Sequence, residues 1–139
     1  MKKSILSLIL LFVFSFLWSQ KIFDYKLKTK TNAKDRTMIL DIFRAKLYEN
    51  YKEEFVFVVN SMNVYNDYVW LMVDTKRKDG KEFNIDKDGE YDCCHAEALF
   101  RKKSGKWYII ESGEFSTDVW YVGLWESYKL PQKMFFKLE

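Results

Sequence analysis

Apolar positions change their spacing several times along the chain, and each change predicts an element. The first apolar run, residues 5–18, follows Lys2 and Lys3, which is the layout of a secretory leader. It falls short of the ~20 apolar residues that a bilayer span needs. Residues 1–20 are therefore expected to be a signal peptide, cut after Ser19 or Gln20, with residues 21–139 forming a single domain. From Phe23 the pattern alternates, with Phe23, Tyr25 and Leu27 set against Asp24, Lys26 and Lys28. That predicts an edge strand whose lysines discourage unwanted pairing. Ile39, Phe43 and Leu47 then recur at helical spacing with Leu40 beside them. With Asn32 and Asp35 as a capping-box-like start, they predict an amphipathic helix over about residues 35–50.

Strand character begins at EFVFVVNSM and resumes at YVWLMVDTK after a break at Tyr65, Asn66 and Asp67, predicting two antiparallel strands. Asp79-Gly80 and Asp88-Gly89 are strong turn dipeptides. HAEALFRKK and KWYIIES flank Ser104-Gly105 as two further strands. The central strands are apolar on both sides, with Val69, Leu71 and Val73 on one face and Tyr68, Trp70 and Met72 on the other. One helix cannot cover both. The tail STDVWYVGLWESYKLPQKMFFKLE is expected to supply the second layer, through a short helix capped by Ser116 or Thr117. That helix would carry Val119, Trp120, Leu124 and Tyr128 and end at Leu130-Pro131. The competing cover is a second copy, a homodimer packed through the sheet face. The fold class expected is α+β: one N-terminal helix on a curved antiparallel sheet of four to five strands, with a short C-terminal helical segment.

That order, closing with ALFRKKSGKWYIIES, resembles the cystatin-like architecture and, within it, the nuclear transport factor 2-like superfamily. Members often end in a hairpin of the form apolar strand, Gly-Lys-Trp, apolar strand, which residues 98–112 match. The likeness spans residues 35–112 and implies a helix packed on a curved sheet, with a pocket between the two in the enzymes of the group. No catalytic motif of those enzymes aligns here, so the likeness implies no active-site residue. A single N-terminal helix and the aromatic-rich tail depart from the pattern.

The formal charge of +3 falls by two if the leader is removed, and a field that weak gives no argument for nucleic acid. Chemistry concentrates in NIDKDGEYDCCHAE, which holds both cysteines and the only histidine. Asn84, Asp86, Asp88, Asp92 and His95 fall at the ligand positions of a calcium loop, although His95 offers nitrogen where calcium takes a bidentate carboxylate. The competing explanation is a polar Asp-Gly turn. Alternation on the following strand places Cys93, His95 and Glu97 on one face, each ~7 Å from the next. Such spacing suits a thiol–imidazole contact, a soft-metal site, or a pocket enzyme using His95 with Asp92 or Glu97. Cys93 and Cys94 are adjacent, and ordinary bridge geometry does not join neighbours. Buried free thiols or a bond to another chain are therefore expected.

The opposite face, Cys94, Ala96, Ala98 and Phe100, should pack against Ile39, Phe43 and Leu47, making the space between helix and sheet apolar. That disfavours an enzyme. Trp120, Tyr121, Trp125 and Tyr128 are candidates for a sugar-stacking platform or a partner patch. The functional expectation is a periplasmic or secreted, non-catalytic domain that binds a small molecule or a protein. It would need no cofactor and have no membrane contact after leader removal. A pocket enzyme and a metal-binding module through residues 84–95 are the alternatives.

Overall fold

A computed structural model describes residues 21–85 and 93–138. Its elements are β1 (Phe23–Asp24), α1 (Ala33–Tyr51), β2 (Phe55–Tyr65), β3 (Tyr68–Arg77), β4 (His95–Lys103), β5 (Lys106–Glu114), α2 (Leu124–Ser127) and a 3-10 turn, Gln132–Phe135. The strands form one antiparallel sheet in the order β1-β2-β3-β4-β5. This is the expected α+β fold, with one main helix on a curved sheet. The predicted leader lies outside the described residues. Among the described residues no helix is long and apolar enough to cross a membrane.

Helix α1 buries Ile39, Leu40, Phe43 and Leu47, the stripe its periodicity predicts. It stops at Lys52, whose left-handed backbone (φ 56°) lets its N–H donate to the Tyr48 carbonyl. The expected capping box does not form. The Asn32 carboxamide instead accepts the Thr29 N–H at 2.8 Å and donates to the Leu27 carbonyl at 2.9 Å. Asp35 turns away to accept the Trp107 indole N–H at 3.0 Å and the Lys102 ammonium at 3.1 Å. These bonds tie the first helical turn to the β4–β5 hairpin. Burial pushes the Asp35 carboxyl up, but the Trp107 and Lys102 donors outweigh it and hold the pKa below its ordinary value.

The arm is also shorter than its alternation predicts. Only Phe23 and Asp24 pair, with Val64 and Asn63, and the Tyr25 N–H donates to the Met62 carbonyl. Beyond that point the Arg36 guanidinium captures the carbonyls of Tyr25 and Lys26, at 3.1 and 3.0 Å, and draws the arm over the start of α1. Lys26 and Lys28 therefore guard no further length of the sheet edge.

Between α1 and the sheet the space is filled by Ile39, Phe43, Leu71, Ala96, Ala98 and Phe100, all fully buried. The opposite face centres on Trp70 and Leu99 and is covered by the tail through Leu130, Met134 and Phe135. The Asn63 carboxamide donates to the carbonyls of Met134 and Phe136 at 2.8 and 2.7 Å, fastening the tail to β2. The tail helix is much shorter than predicted. Gly123, at φ 91°, adopts a backbone that L side chains avoid and breaks any helix approaching from residue 119. Ser116 forms a local turn with Asp118 instead of a cap.

Candidate functional site

Strand pairing sets Asp74 opposite His95, Met72 opposite Glu97, and Glu97 opposite Gly113. His95 and Glu97 thus share the tail-side face, as alternation predicts, with His95 Nε2 3.6 Å from Glu97 Oε1. Glu97 is 3% exposed. The Trp120 indole covers it, donating its N–H to Glu97 Oε2 at 3.1 Å, and occupies the space that any side chain at residue 113 would need. Burial pushes the Glu97 carboxyl above its ordinary range. The indole bond and His95 pull it back, while Asp74 and Glu114 push it further up. A buried acid beside an imidazole is capable of exchanging a proton, but general acid or base work requires reach to a substrate. Here Trp120 closes over the carboxyl, and the bond ties the tail to β4.

Cys93 and Cys94 occupy a turn before β4 and are bonded to each other. This corrects the expectation of buried free thiols or an intermolecular bond. Strand alternation separates neighbouring side chains only on a strand, and neither cysteine is on one. Cys93 is exposed, and its sulfur lies 3.4 Å from the Phe83 carbonyl oxygen. Asn84 is in the loop after β3, while Asp86, Asp88 and Asp92 lie outside the described residues, as does any His95–Asp92 pair. Among the described residues no three His, Cys, Asp or Glu side chains gather to hold an ion.

The aromatic candidates turn inward. Trp120 and Tyr121 pack on Trp70 with ring centres 5.8 and 5.0 Å away, and Trp125 meets Phe135 at 5.6 Å. Tyr128 lies 6.2 Å from Tyr68 and donates its hydroxyl to Glu111 at 2.5 Å. These rings, each partly exposed, pack against the cluster of Trp70, Leu99 and Phe135 and build the second layer.

A different surface stands out along β2. Because β1 pairs only at residues 63–64, the rest of β2 is a sheet edge. The Glu54 carbonyl accepts the Lys78 N–H, so alternation turns the backbone groups of Phe55, Phe57 and Val59 away from β3. Among the described residues nothing pairs with them. Val56 and Val58, whose side chains flank this edge on the tail side, are 45% and 48% exposed, and Tyr48 of α1 is 52% exposed. A groove of about 470 Å³ runs between α1 and β2, floored by Ala45, Tyr48, Phe55 and Val56. A second, of about 610 Å³, joins Val56 to Lys76, Phe83, Ile85 and the cysteine pair. The edge ends at a bulge between Val59 and Ser61.

Sequence reasoning did not single out this edge. The available signal is that residues 55–66 contain no charged side chain, whereas exposed edges usually carry lysine or proline. It was obscured because the alternating arm was expected to supply the guard. No protein-family model, curated protein or solved structure matches the chain.

Proposed function

We propose that this protein is a non-catalytic protein-interaction domain that takes an extended polypeptide strand along the free edge of β2. The observation that carries this is the outward row of backbone groups at Phe55, Phe57 and Val59, bordered by exposed Val56 and Val58 and by an apolar groove. Unpaired N–H and C=O groups are satisfied in register only by another strand. A strand docked there directs alternate side chains to the two sides of the sheet, one set toward Ala45 and Tyr48 and the other over the valines. The filled space between α1 and the sheet, and the closure of Glu97 by Trp120, favour binding over pocket catalysis. The leader-like first twenty residues support export, which would place the edge in the periplasm or outside the cell.

Selection from a displayed library of random decapeptides tests the proposal. Enriched peptides should alternate apolar residues and slow hydrogen exchange at Phe55, Phe57 and Val59. They should also lose binding when Val58→Lys places a charge beside the edge. Peptides that bind Val58→Lys as well as the unaltered protein, or a library that yields none while the amides of Phe55, Phe57 and Val59 exchange freely, would refute it.

A further inference from the structure

We infer that the strand taken by this edge is β2 of a second copy, paired antiparallel about a two-fold axis at Phe57; the inference rests on the strand-docking proposal. The outward backbone positions are Phe55, Phe57 and Val59, a set symmetric about its own centre. Antiparallel pairing on that axis sets Phe57 against Phe57 of the other copy and Phe55 against Val59. Every outward residue then falls in a hydrogen-bonded pair, exchanging both N–H···O bonds with its partner. The same register places Val56 opposite Val58 at the closely spaced, non-hydrogen-bonded positions. The two exposed valines of one copy thereby cover those of the other.

Charge permits this self-pairing. An edge that meets itself about a two-fold axis brings its central side chains against their own kind, so a charged residue there would face a like charge. Between Glu54 and Asp67 the chain has none. Arg44, stacked on the Phe57 ring at 5.0 Å on the helix side, brings its own counter-charge in Asp41 at 2.8 Å. The ends are compatible as well. The bulge before Ser61 and the first pairing of β1 close the edge at one end, and the departure of the chain toward Lys52 closes it at the other, leaving a short isologous patch. The product is one continuous sheet through both copies, with the paired valines on its tail side.

Sedimentation and light scattering of the leaderless chain test this, together with hydrogen exchange at residues 55–59. A particle of twice the chain mass is expected, with exchange at Phe55, Phe57 and Val59 slowing as concentration rises. Val58→Lys should give a folded monomer with fast exchange at those amides. Val122→Lys, at an exposed valine in the tail and not on β2, should leave the dimer intact. A monomer persisting to ~100 µM, well above micromolar dissociation constants, overturns the second-copy inference. So does a dimer that Val58→Lys leaves intact. If that monomer's edge amides are protected by a library-selected peptide, strand docking stands without the second copy. If no peptide protects them, both fall.

Discussion

Replacing Gly113 with alanine should destabilise the fold through a residue seven positions further along the chain. An ideal Cβ at residue 113 would overlap Nε1, Cε2 and Cδ1 of Trp120. The β5 backbone is held to β4 by the Glu97–Gly113 and Ala98–Ser112 pairings, so the indole must move. Its departure removes the donor to Glu97, leaving a buried acceptor unsatisfied at a cost of ~1–3 kcal/mol. It also separates Trp120 from Trp70, a ring contact worth ~0.5–1.5 kcal/mol. Together these give a loss of about 1.5–4.5 kcal/mol. Gly113 has no positive φ, so alanine is otherwise acceptable to the backbone and slightly restricts the unfolded chain. Urea denaturation of Gly113→Ala, Trp120→Ala and the double variant measures the coupling directly. In the Trp120→Ala background the alanine at 113 should cost almost nothing. A change within ~0.5 kcal/mol of the unaltered protein, the usual size for an inert surface site, or an equal cost in both backgrounds, would refute the reasoning.

Burial raises the Glu97 pKa on folding, so the stability linked to its proton is full below the ordinary value of 4.5 and is lost as pH rises through the folded value. Glu97→Gln keeps an acceptor for Trp120 and abolishes that loss. Its stability relative to the unaltered protein should rise between pH 4 and pH 8, and denaturation giving the same difference at both would count against the assignment. Asp35 has the opposite sign. Its lowered pKa contributes stability above the ordinary value of 3.8 that disappears as pH falls through the folded value. Asp35→Asn should cost ~1 kcal/mol at pH 7, a modest figure because the pair is partly solvated. That cost should shrink in acid, and a pH-independent one would sink the explanation. Asn63→Ala frees the carbonyls of Met134 and Phe136 and should let protease remove the tail beyond Leu130 faster. Equal cleavage rates by mass spectrometry would show that the carboxamide is not the fastener.

Elements built from neighbours in the chain could be recognised in advance. Ile39, Phe43 and Leu47 mark the buried side of α1 by their spacing alone, and the tight turn at Asn66-Asp67, with Asn66 at φ 51°, joins β2 to β3 within the break expected at residues 65–67, although Tyr65 itself ends β2. Alternation also assigned Ala96, Ala98 and Phe100 to the helix side and His95 and Glu97 to the other, because a strand's period of two leaves one choice once its apolar side is known. The same rule put Cys94 on the helix side, where it packs against Leu47, Phe55 and Phe115, but it did not foresee that both cysteines stand in a turn.

Periodicity and turn chemistry act over a few residues, so α1, the hairpins and the two-sided character of the sheet were legible from the order of amino acids. Everything that locates chemistry depended on residues far apart in the chain. Arg36 shortens the arm by taking its carbonyls, Trp120 gives Gly113 its purpose and encloses Glu97, and Asn63 fastens the end of the tail. The open edge of β2 follows from the first of these. A strand's sequence specifies which way its side chains point, but whether its backbone finds a partner is decided by where the rest of the chain goes.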